Sequence, residues 1–134
     1  MNNDELIQVA DDVLHRYTDP HGRLHGDVGA AVLGKNGKVY RGVCVDTSGW
    51  GLCAERSALA AMITDQEYTF QKIVAVWRDD KTGELHVLPP CGHCRQFMRN
   101  ISEENMDAEV LLGRNAFELL KDLIPYHEWP QPIE

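Results

Sequence analysis

The first apolar positions, Ile7, Ala10, Val13 and Leu14, recur at helical spacing. They follow Asn3, a residue type suited to an N-cap, and the acids Asp4 and Glu5, which a helix dipole favours in its first turn. The pattern predicts an amphipathic helix. The turn-rich stretch Thr18-Asp19-Pro20-His21-Gly22 separates it from two strand-like runs, Val28 to Leu33 and Lys38 to Val45. Asn36-Gly37 between them is the commonest hairpin dipeptide, so the two runs should pair antiparallel.

From Cys53 onward, Ala54, Ser57, Ala58, Ala60, Ala61 and Met62 supply helix formers and small contact residues, which places Cys53 at a helix start. Ile73 to Trp77 has strand length, and Leu85 to Leu88 follows a polar turn as strand or connection until Pro89-Pro90 stops it. Cys91 to Arg99 resumes the helical pattern, so Cys91 and Cys94 also stand at a helix N-terminus. Val110 to Leu112 predicts another strand, and Phe117, Leu119, Leu120 and Leu123 predict a last helix before Pro125. Strands alternating with helices imply an α/β fold, a three-layer α/β/α sandwich whose mixed sheet opens on an antiparallel hairpin. No repeat, linker or low-complexity stretch divides residues 1–134, which read as one domain.

The formal charge is −8, and the 13 basic residues form no stripe along 134 residues, which argues against a grip on long nucleic acid. No apolar run is long enough to span a membrane, and the N-terminus lacks the basic and apolar regions of a signal peptide, so a cytoplasmic protein is expected. In a reducing compartment, four cysteines point to metal or redox chemistry before disulfides.

Cys91-Gly92-His93-Cys94 alone is ambiguous. It fits a redox dithiol activated by a helix N-terminus. With Cys44 and Cys53 it also fits a closed four-cysteine zinc site, although Cys44 lies late in a strand, where a buried small hydrophobe is the ordinary account. A third arrangement uses Cys53, Cys91 and Cys94 and leaves the fourth zinc position to water, as catalytic sites do. Glu55, two residues after Cys53, is then placed to shuttle a proton; its ordinary role would be that of a first-turn acid serving the helix dipole.

Cys53-Ala54-Glu55-Arg56 followed later by Pro90-Cys91-Gly92-His93-Cys94-Arg95-Gln96 resembles the zinc-dependent deaminases of the cytidine deaminase superfamily. Val28-Gly29-Ala30-Ala31-Val32 and Asn36 to Gly42 are similar to the strand and hairpin of the small homotetrameric cytidine deaminases and of blasticidin-S deaminase. The resemblance implies a homo-oligomeric hydrolase that holds Zn2+ through Cys53, Cys91 and Cys94 and releases ammonia from a small aminated heterocycle, a cytidine-like nucleoside first; the alternatives are a blasticidin-S-type or other aminoheterocycle deaminase and a non-catalytic zinc-stabilised binding protein. It implies Glu55 as the proton carrier, the backbone around Ala54 against the substrate ring edge, and Arg56 as the counter-charge beside the thiolates.

Two departures follow. Where cytidine deaminases read the ribose with Asn-x-Glu, this chain has Cys44-Val45-Asp46, so Cys44 and Asp46 become the candidate substrate contacts, and the family's stacking aromatic falls on Gly26. Trp50, Tyr126, His127 and Trp129 are candidates to replace that aromatic surface or to close the site. Only Gly113-Arg114-Asn115 separate Leu112 from the predicted last helix, so the family's fifth strand is expected to be missing or displaced.

Overall fold

The computed structural model describes residues 1–15, 17–47, 51–128 and 130–133. Helix α1 spans Asn3–Asp12, and strands β1 (Tyr17–Thr18) and β2 (Leu24–His25) form a small antiparallel hairpin after it. The chain continues through β3 (Val28–Gly34), β4 (Val39–Val43), α2 (Ala54–Thr64), β5 (Phe70–Arg78) and β6 (Leu85–Val87). It ends with α3 (Gly92–Ile101), β7 (Glu109–Gly113) and β8 (Ala116–Leu119). The main sheet runs β4-β3-β5-β7-β8, with β6 pairing to β5. Neighbours are antiparallel except β5 and β7, whose parallel pairing is made possible by the crossover through α3.

Side chains on the central strands are buried on both faces, and their alternation sorts them into two cores. Ala30, Val32, Ile73, Ala75 and Val110 pack with α2 and α3, whereas Ala31, Leu33, Val74, Val76 and Leu111 pack with α1. That is the predicted three-layer sandwich. Gly42 on β4 lets α2 lie close to the sheet, because a Cβ there would collide with the Ala58 backbone nitrogen and the Ser57 hydroxyl. The helix that carries Cys53 at its N-terminus is thereby seated directly on the hairpin.

Three expectations are corrected. The cap of α1 is Asn2, not Asn3: its side chain accepts from the Glu5 backbone N–H while Glu5 reaches back to the Asn2 N–H, a reciprocal capping box. Phe117 to Leu123 is not a helix. Residues Ala116–Leu119 pair antiparallel with β7 through the tight turn at Arg114-Asn115, and Leu120–Asp122 add one 3₁₀ turn, so a strand follows β7 where one was expected to be missing or displaced. Strand pairing across that turn satisfies the backbone where the apolar spacing alone suggested helix. Among the described residues, no helix is long and apolar enough to cross a membrane.

Candidate active site

Cys53 and Cys91 are both N-cap residues, with extended backbone and no side-chain cap bond, at the starts of α2 and α3. The unpaired first-turn N–H groups of two helices therefore converge on the sulfurs and offer positive potential to thiolates. Cys94, one turn into α3, is fully buried. The ligating atoms of Cys53, Cys91 and Cys94 all lie within 4.8 Å of one another, and the Cys91 and Cys94 sulfurs are 3.7 Å apart. Tetrahedral zinc with bonds of about 2.3 Å requires sulfur pairs about 3.8 Å apart, so the donor set fits the ion in both chemistry and spacing.

The electrostatics of the cluster call for a cation. Burial first, then the Glu55 charge and the neighbouring thiols, push the Cys94 thiol well above its ordinary value. For Cys91, burial also acts upward, but the N–H groups of Cys94 and His93 and the thiols of Cys94 and Cys53 bring the thiol below its ordinary value. Three adjacent thiolates repel unless positive charge sits among them. Arg56 supplies part of it: its Nη2 lies 3.7 Å from Cys53 Sγ and 3.3 Å from the Gly51 carbonyl oxygen. Its Nε is buried and finds no acceptor among the described residues.

Glu55 is 7% exposed, and burial raises its carboxyl above the ordinary carboxylate range against the opposing pull of its own backbone N–H and of Arg56. It also borders a small packing gap with Ala75, Leu88, Pro90 and Met98, too narrow to admit a water molecule. Ala54 is buried beside it. Arg95, the other motif arginine, donates from Nε to the Pro90 carbonyl and from Nη1 to the Leu123 carbonyl, both at 2.8 Å. Arg95 thus braces the approach to Cys91 and the tail after β8.

Cys44 stands apart from the three-sulfur cluster: its thiol donates to Asp27 Oδ1 at 2.8 Å. Asp46 has an exposed side chain, and its backbone N–H donates to His25 Nδ1 at 2.9 Å. Asp27 and His25 had no site role in the sequence, since neither lies in a motif. Tyr126 is fully exposed with φ 50°, and His127 accepts at Nδ1 from Arg99 Nε at 3.1 Å. Trp50 and Trp129 lie outside the described residues.

Comparisons with known proteins agree with this geometry. The family model "Cytidine and deoxycytidylate deaminase zinc-binding region" matches residues 2–108. The chain belongs to this deaminase family. It is 36% identical over 115 residues to a cytidine deaminase of Halalkalibacterium halodurans, covering 84% of this chain and 80% of that protein. It is 30% identical over 129 residues to a blasticidin-S deaminase of Bacillus cereus, covering 90% and 88%. A crystal structure of cytidine deaminase from Burkholderia pseudomallei superposes with TM-score 0.73 at 28% identity, over 94% of this chain and 98% of that one. As a member of the family, the chain is a zinc-dependent hydrolytic deaminase.

Proposed function

We propose that this chain converts the amino group of a cytidine-like nucleoside into a carbonyl, consuming one water and releasing one ammonia. The observation that carries the reading is the meeting of three sulfurs from two helix N-termini with the buried Glu55 carboxyl two residues beyond one of them. Zinc, when bound, supplies the Lewis acidity that makes water nucleophilic near neutral pH. Glu55 takes the proton from the attacking water and delivers it to the departing amine, a task suited to a carboxyl that burial raises above its ordinary value. The Ala54 backbone contacts the ring edge, Cys44 and Asp46 contact the sugar side, and Arg56 balances the thiolate charge. The net charge of −8 suits a free small molecule better than a nucleic acid polymer. We further place it as a single-domain cytoplasmic homo-oligomer, by its likeness to the small cytidine deaminases.

A second substrate reading has its own support. The Cys44 thiol is committed to Asp27, so this position offers no amide to a ribose hydroxyl. With the likeness to a blasticidin-S deaminase over most of both chains, this favours an aminated heterocycle carrying a different appendage. Ammonia release from zinc-loaded protein, measured with cytidine, deoxycytidine and blasticidin S, tests both readings. Turnover of either nucleoside supports the first, and turnover of blasticidin S alone supports the second. Full zinc occupancy with no ammonia from any of the three overturns both.

A further inference from the structure

Asp46 opens the segment between β4 and Cys53, and its backbone is held from outside that segment. Its N–H donates to His25 Nδ1, while the other ring nitrogen, Nε2, lies 2.8 Å from Asp19 Oδ2. A ring nitrogen that accepts carries no proton, so one tautomer satisfies both contacts: Nε2 keeps its hydrogen and donates it to the carboxylate. Asp19 is fixed in turn, because its Oδ1 accepts from the His21 and Arg23 backbone N–H groups at 2.8 and 3.1 Å. The side chains of His25 and Asp19 are 12% and 23% exposed, which limits competition from water. Val45 and Leu52 exchange two backbone bonds of 2.9 Å at the base of the segment, and Arg56 on α2 donates to the Gly51 carbonyl. The near end is thus tied to the β1–β2 hairpin and the far end to the helix of Glu55.

We propose that His25 is a positioning residue: held as a single tautomer by Asp19, it sets where the Asp46 backbone stands. The proposal rests on Asp46 being a substrate contact, as read above. Asp19 is a poor residue to vary, since it also closes the β1–β2 turn. His25 can be split into its two halves. His25→Asn places an amide oxygen where Nδ1 stands and keeps an acceptor for the Asp46 N–H. His25→Gln places an amide nitrogen near Nε2, which keeps a donor for Asp19 and loses that acceptor.

The test compares both variants with the wild type in two readouts on zinc-loaded protein: hydrogen exchange of the Asp46 amide by NMR, and steady-state ammonia release from cytidine and blasticidin S. His25→Gln is expected to speed Asp46 exchange roughly ten-fold and to raise KM roughly three- to ten-fold with kcat little changed, the loss of one hydrogen bond expressed as binding. His25→Asn is expected to stay near wild type in both. Wild-type protection of Asp46 in His25→Gln, or equal losses in the two variants at an unchanged melting temperature, would overturn the proposal. If the wild type deaminates neither substrate, the functional reading fails, and the exchange comparison still decides whether His25 holds Asp46.

Discussion

The Cys44 thiol and the Asp27 carboxylate share a 2.8 Å hydrogen bond that joins the end of β4 to the residue preceding β3. Burial first, and then this carboxylate, hold the thiol above its ordinary value and so keep it a weak nucleophile. Asp27→Asn removes the negative charge that opposes ionisation. Iodoacetamide at pH 8 should then alkylate Cys44 roughly three- to ten-fold faster than in the wild type, read by peptide mass mapping. An unchanged rate would mean that the pair does not form in solution.

Glu55→Gln keeps the side-chain volume and removes the proposed proton carrier. Zinc content by metal analysis should match the wild type, while turnover falls by roughly 10²- to 10⁴-fold. Near-normal turnover in this variant would take Glu55 out of the chemistry.

Zinc held by Cys53, Cys91 and Cys94 would supply the charge that lets three thiolates coexist and would link α2 to α3, so its removal should cost stability. Treatment with a strong chelator should lower the melting temperature by about 10 °C or more, since an ion present at a thousand times its Kd contributes roughly 4 kcal/mol to a domain of this size. Cys91, the exposed one of the three, should become the first to react with thiol reagents. A melting curve that ignores the chelator would contradict the metal assignment.

At the hairpin, the Tyr40 hydroxyl donates to Asp65 at 2.5 Å and Lys38 adds an ion pair at 3.2 Å. Tyr40 first, then Lys38, hold the Asp65 carboxyl below its ordinary value of 3.8. A depressed folded-state value adds stability above the unfolded value and loses it as pH falls through the folded one. Urea midpoints of the wild type and Tyr40→Phe should therefore differ by a constant amount near neutral pH and converge below about pH 4. A gap that persisted in acid would assign it to the contact of the hydroxyl with Asn36 Nδ2 at 2.8 Å or to packing.

The two helix starts that carry the cysteines were legible because Cys-Ala-Glu and Pro-Pro-Cys mark local breaks that any fold would respect. The sheet core was legible for a similar reason: Val28 to Leu33 and Ile73 to Trp77 are apolar runs with turns at both ends. Strand β8 was not. Its apolar residues and those of the following 3₁₀ turn fall together at helical spacing, and only the pairing with β7 reveals the strand. The contacts of Asp27 and His25 were also invisible, since they depend on a tertiary approach. Gly26 makes that approach possible: with φ 77° it donates to the Cys44 carbonyl and accepts from the His15 N–H, and a side chain there would strike the His15 carbonyl. A position that reads as a lost aromatic is one that only glycine fills.

The exposed turn after β5, from Asp79 to Gly83, divides the ownership of the reactive centre. A nick there leaves one sulfur and the carboxyl of Glu55 on the amino-terminal fragment and two sulfurs on the carboxy-terminal one. Neither piece alone owns all three of Cys53, Cys91 and Cys94, so the three-sulfur site exists only where the two halves of the chain meet.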